Sequence, residues 1–143
     1  MKKHLAVLAL PILLAACSNS DNAAEITPTD LQHHHWILAK VDGKAISLPA
    51  EAKAPSIEVG EKMSANGFAG CNTYFGQAEL KDGKFRVDGM GMTMMMCSDT
   101  AMQTEQVVAG TLSEWSDITL TKESLILKGE EHELTFTLRD WVY

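Results

Sequence analysis

Asn66-Gly67-Phe68-Ala69-Gly70-Cys71-Asn72-Thr73-Tyr74-Phe75-Gly76 opens the stretch that decides the fold, and Met90-Gly91-Met92-Thr93-Met94-Met95-Met96-Cys97 closes it. Two cysteines lie inside it, glycines punctuate it, and its end is crowded with methionine. Before Cys97 the apolar residues recur with the period of a strand. Met63 to Gly70 reads as a glycine-bearing strand, and Thr73 to Leu80 as another, kinked at Gly76. Lys81-Asp82-Gly83-Lys84 is a hairpin turn, and Phe85-Arg86-Val87 pairs back. After Cys97 the period changes. Ser98-Asp99 offers an N-cap, and Thr100 with Gln103 fits a capping box. Ala101, Thr104, Val108, Leu112 and Trp115 fall on one helical face, which predicts a helix of about four turns bounded by Asp117. Gly110 weakens it by about 1 kcal/mol relative to alanine.

The flanks are short strands. Trp36 to Val41 is followed by the turn signal Asp42-Gly43 and answered by Ala45-Ile46-Ser47-Leu48. Residues Pro49 to Pro55 form a loop, Ile57-Glu58-Val59 alternates, and Gly60-Glu61-Lys62 turns the chain. Thr29 to Gln32 opens a short helical turn. At the other end Ile118 to Thr121, Leu125 to Leu127 and Leu134 to Leu138 form a meander, with turns at Lys122-Glu123-Ser124 and Gly129-Glu130-Glu131. The fold class is mainly β (α+β): a curled antiparallel sheet or small barrel with one packed amphipathic helix. A chain of 143 residues holds one such domain.

The N-terminus reads as an address. Lys2 and Lys3 precede an apolar run from Leu5 to Ala16, far short of the ~20 residues of a spanning helix. The run ends in Leu14-Ala15-Ala16-Cys17, which looks like a bacterial lipobox. Residues 1–16 are then a signal peptide, Cys17 takes the lipid (palmitate among its acyl chains), 17–30 form a tether and linker, and 31–143 form the domain. Ser18 after the cysteine, in place of aspartate, points to the outer membrane, facing the periplasm. The alternative is an ordinary secretory signal with Cys17 incidental. A hydrophobic content of 45% excludes a disordered chain. The formal charge of −7 excludes nucleic acid as a partner class, because phosphate binding needs clustered Lys and Arg. The partners left are the membrane, through the N-terminal lipid, and an unnamed envelope protein or ligand.

The residues that carry chemistry are few. His33-His34-His35 invites a metal, but neighbours on a strand point to opposite faces, so the three read as a strand start of mixed exposure. Glu130-Glu131-Glu133 reads as a solvated turn. Lipidation of Cys17 leaves Cys71 and Cys97, and an oxidising compartment pairs them in a disulfide across 26 residues. The rival is a reduced pair, buried separately or serving as soft metal ligands, since sequence does not fix a Cα spacing under about 7 Å. Met90, Met92, Met94 and Met96 alternate onto one side of an extended chain. They read as core packing; the alternative is a periplasmic Cu(I)-binding protein that uses the Met90–Met96 cluster. No spacing ties a cysteine to a histidine base, so a hydrolase ranks last and no enzyme, cofactor or metal site is assigned.

Several segments together resemble the META-domain family. They are Leu31-Gln32-His33-His34, Val41-Asp42-Gly43-Lys44, Gly60-Glu61-Lys62-Met63, Cys71-Asn72 before an aromatic and Gly76, Met92-Thr93 before Met95-Met96-Cys97, and Leu138-Arg139-Asp140. His35 and Gly70 depart from that pattern. The resemblance implies a small β-rich barrel with a packed helix, a protein of the envelope or secreted, and a role in stress resistance, motility or secretion. It carries over no catalytic residues. The combined expectation is a non-catalytic envelope lipoprotein acting as a stress-tolerance or binding module.

Overall fold

A computed structural model of the chain describes residues 24–140. The expected signal peptide, Cys17 and the first half of the expected tether and linker lie outside the described residues, as do residues 141–143. The strands in chain order are β1 (His34–Val41), β2 (Lys44–Ala45), β3 (Ser56–Val59), β4 (Ser64–Phe68), β5 (Thr73–Lys81), β6 (Lys84–Met92), β7 (Ser116–Leu120), β8 (Ser124–Lys128) and β9 (Glu133–Leu138). Eight of them pair antiparallel in the order β1-β3-β4-β5-β6-β7-β8-β9, and β9 pairs back on β1 to close a barrel. The two-residue β2 pairs only with the end of β1. A single helical turn, α1 (Pro28–Leu31), precedes the barrel, and α2 (Asp99–Ser113) is inserted between β6 and β7.

The hairpins follow from their turn residues. Asp42-Gly43 and Asp82-Gly83 all have positive φ (52°, 74°, 50° and 71°), the type I′ geometry whose twist matches its flanking strands. The inward face is apolar and filled. Trp36, Tyr74, Phe85 and Phe136 occupy the interior with the strand aliphatics, each contributing about 2 kcal/mol of transfer free energy. Tyr74 keeps its hydroxyl satisfied by donating to the Ser56 carbonyl at 2.8 Å, and burial pushes its phenol pKa far up. Gly67 makes room for that bond, because a Cβ there would overlap the Ser56 carbonyl and come within 2.6 Å of the Tyr74 hydroxyl.

Four details differ from the sequence reading. The irregularity expected at Gly76 is an extra residue on its partner: β5 advances from Gln77 to Phe75 while β6 advances from Asp88 to Gly91. Gly89, at φ +60°, absorbs it as a bulge. The hairpin arm expected over Ala45–Leu48 stops at Ala45, where the Ile46 N–H turns back to the Ala39 carbonyl. The strand expected from Met63 begins at Ser64, because Lys62 and Met63 hold positive φ in a one-turn 3-10 helix (Glu61–Met63) and the Gln77 side chain bridges their carbonyls.

The fourth difference concerns α2. The cap is Ser98, extended at φ −62° and ψ 156°, with its hydroxyl accepting from the Ala101 N–H. Thr100 already lies inside the first turn, so the expected Thr100–Gln103 box does not form. Val108, Thr111 and Leu112 face the core. The helix ends at Ser113, before Trp115, because Glu114 is extended and the Ser116 hydroxyl takes the Thr111 carbonyl. Trp115 instead lies against the Arg86 guanidinium, 4.7 Å from the ring centroid. The helix packs chiefly on β6, whose pairing with β7 is limited to Lys84 and Phe85.

Candidate functional site

Between β6 and α2 the chain leaves the barrel as a short tip, residues 93–98, and returns down the helix. Here the structure keeps the expected packing role for Met90 and Met92 and overturns it for Met94 and Met96. Met90 and Met92 are within β6 and pack against the core. Met94, Met95 and Met96 are 95%, 56% and 87% exposed. The cause is local. The strand ends at Met92, so the alternation that carries Met90 and Met92 inward has no ladder to continue on.

One buried side chain shapes the tip. Asn72, 2% exposed, receives the Met95 N–H and the Thr93 hydroxyl on its Oδ1 (2.6 and 2.9 Å) and donates Nδ2 to the Met95 carbonyl at 3.2 Å. The peptide groups on both sides of Met95 are thus held by a single amide. Thr93 adds a second tie to β5: its N–H donates to the Thr73 carbonyl, and its hydroxyl accepts the Thr73 N–H.

Asn72 is itself held from below by α2. Glu105 accepts the Asn72 N–H (2.5 Å) and the Cys71 N–H (3.2 Å) on Oε2, and the Asn72 amide (3.0 Å) on Oε1. The helix comes this close because residue 70 is glycine. Gly70 sits at φ +129°, and a Cβ there would lie 3.1 Å from the Ala101 carbonyl and 3.1 Å from the Glu105 nitrogen. Cys71 and Cys97 are joined in a disulfide with a Cα separation of 5.8 Å, which staples the base of the tip to the strand entry. Phe75, on β5 two residues beyond Thr73, is a further exposed apolar side chain. It is 65% exposed and rests over Gly91, where a Cβ would meet the ring at 2.5 Å.

The other sequence candidates separate. His33 points to Glu61 (3.2 Å), His34 to Asp140 (2.8 Å) and His35 to the Arg139 carbonyl (3.3 Å), so the three do not meet. Asp140 also receives the His35 N–H and ties the end of β9 to the start of β1. Asp42 grips His132 and the Glu133 N–H across the barrel seam, and those two bonds, the backbone one foremost, hold its carboxyl below the usual range. Glu130 and Glu131 are exposed at the β8–β9 turn. Among the described residues no group of three His, Cys, Asp or Glu side chains is placed to hold a metal ion, and no helix is long and apolar enough to cross a membrane. Two members of the site escaped the sequence reading. Glu105 is one of two acids in α2, with Asp99, and its role appears only through contacts 33 and 34 residues away. Phe75 sat in a strand whose burial pattern was not resolved residue by residue.

The META-domain family model matches residues 29–141. The chain belongs to the META-domain family. This META domain is similar, at 35% identity over 141 residues and 98% of both chains, to heat shock protein HslJ of Escherichia coli strain K12. It is also similar to a protein solved by NMR, at 33% identity and a TM-score of 0.69, covering 80% of this chain and 97% of that one. A second NMR structure, from Burkholderia xenovorans, shares the fold with a TM-score of 0.62 at 23% identity, covering 97% and 99%. Within the META domain, the segments that carried the resemblance are where the barrel is locked: the Asp42-Gly43 hairpin, the Lys62-Met63 turn, the Cys71-Asn72 and Thr93–Cys97 tip, and the Asp140 tie.

Proposed function

We propose that this protein is a stress-related, non-catalytic lipoprotein of the cell envelope that binds an apolar surface of another envelope protein through its methionine tip. The observation that carries the reading is the tip itself: three exposed methionines and an exposed phenylalanine on a backbone fixed by Asn72, Glu105 and a disulfide. Exposed contiguous apolar surface marks interaction sites, and methionine adapts to irregular partner surfaces. The heat shock name of the Escherichia coli relative supports the link to stress. Both cysteines of the domain are covalently occupied, which leaves no thiol to act as a nucleophile there. The Leu14-Ala15-Ala16-Cys17 segment supports anchoring, and each buried methylene of an acyl chain adds about 0.8 kcal/mol. Chemical crosslinking and pull-down from heat-stressed envelope fractions tests the binding role. A partner should be retained by the wild type and lost by the Met94→Ser, Met95→Ser, Met96→Ser triple variant; equal recovery by both overturns it. Mass spectrometry of the membrane-extracted protein should find the acyl adduct on Cys17, and an unmodified soluble chain cut elsewhere overturns the anchor.

A second reading is Cu(I) binding, favoured by the soft thioethers of Met94 and Met96 standing in solvent. A competition titration separates the two. One tight Cu(I) per chain, lost in Met94→Leu, Met96→Leu, would place metal handling first.

A further inference from the structure

We propose that Met94 and Met96 form a methionine-oxidation site, at which the apolar tip is converted to a polar one without unfolding the domain. Three observations converge on it. Met94 and Met96 are 95% and 87% exposed, whereas Met63, Met90 and Met92 pack against the core. Susceptibility to oxygen transfer follows exposure, so among the described residues Met94 and Met96 are a fast pair, Met95 at 56% exposed is slower, and the core-packed methionines are a protected set. Cys71 and Cys97, the thiols that would otherwise react first, are already oxidised to each other. Finally, the tip backbone does not depend on the methionine side chains. It is held by the Asn72 amide, the Thr93 hydroxyl, Glu105 and the disulfide. Oxidised side chains at 94 and 96 stay in water, and no buried contact is broken.

The oxidant class is hypochlorous acid. Its oxygen is transferred to the sulfur lone pair; the thioether loses two electrons and becomes a sulfoxide, and chloride and a proton leave. Each event replaces a flexible apolar group by a strongly polar acceptor. That the change would release a partner rests on the binding role proposed above; the selectivity of the oxidation does not.

The test uses the full chain in detergent, titrated with limiting hypochlorous acid and mapped by peptide mass spectrometry, with circular dichroism alongside. Met94 and Met96 should gain oxygen about tenfold faster than Met63, Met90 and Met92, with the near-ultraviolet spectrum and Tm unchanged. The Met94→Leu, Met96→Leu variant should keep the same Tm and lose the fast phase, leaving only the slower oxidation of Met95 ahead of the core-packed methionines. Equal rates across the methionines, a fast phase that survives in the variant, or loss of the near-ultraviolet signal with the first oxygens would each overturn the site. Crosslinking of the oxidised chain in envelope fractions separates the two proposals. Selective oxidation with undiminished crosslinking upholds the oxidation site and refutes the tip as the contact surface.

Discussion

Replacing Glu105 is the sharpest probe of what holds the tip. In Glu105→Ala three hydrogen bonds disappear, two of them from backbone N–H groups of the buried pair Cys71 and Asn72. A hydrogen bond to a charged acceptor is worth about 1.5–3 kcal/mol, and a buried donor left without a partner costs about 1–3 kcal/mol. Glu105 is half-buried, so water reaches part of the vacated space and offsets some of this. The expected loss is about 3 kcal/mol, or roughly 12 °C in Tm for a domain of this size. Glu105→Gln keeps the shape and one acceptor oxygen but turns an NH2 group toward donors, so it should lose less, about 1 kcal/mol. Urea unfolding of the oxidised soluble chain, followed by tryptophan fluorescence, measures both. If Glu105→Ala falls within about 0.5 kcal/mol of wild type, the range of an ordinary surface substitution, the carboxylate does not organise the tip.

Three further outcomes follow from the same geometry. Thiol counting on the denatured, unreduced domain of residues 18–143, which lacks Cys17, should find no free thiol, and reduction of Cys71–Cys97 should destabilise the domain by about 3.5 kcal/mol for a closed span of 26 residues. Gly70→Ala should cost about 2 kcal/mol, because φ +129° is strained for any Cβ and the helix backbone lies 3.1 Å from it, whereas Gly83→Ala has no neighbour within 4 Å and should cost less despite its φ of +71°. Asp42 and Asp117 have carboxyl pKa values lowered, by the Glu133 N–H and His132 for the first and by Lys84 for the second. A folded pKa below the unfolded one stabilises above the unfolded value, so Tm should be level above about pH 5 and fall as pH drops through about 4 and below; a Tm that rises on acidification would contradict the pairing.

The sequence made the barrel legible wherever a local rule decides the structure. The two Asp-Gly turns specify type I′ hairpins by themselves, and alternation in β7 and β9 marks one apolar face. What it did not show depends on contacts between distant residues. Closure of β9 on β1 is a matter of register, and nothing near Leu138 announces Trp36 as its partner. The end of α2 was misplaced because Trp115 fits the helical period, while its actual position is decided by Arg86, 29 residues earlier in the chain. The methionines were misread for a related reason. Composition favours burial of methionine, and the first two obey it; the last three are turned outward because Asn72, a residue with no periodic signal, captures the peptide groups on both sides of Met95. The disulfide was expected from the cysteine count taken with an oxidising address, with a reduced pair as the rival, and the structure forms it; its neighbour Glu105 carried no such signal.

The central claim is that the methionine tip is the surface this protein uses, and site-specific photo-crosslinking tests it most directly. A photoreactive residue is placed at position 95 of the full chain in living cells under heat stress, with position 122 in the β7–β8 turn as the control. Crosslinking from position 95 should give an adduct of discrete mass that is absent from position 122. No adduct from position 95, or the same adducts from both positions, would contradict it.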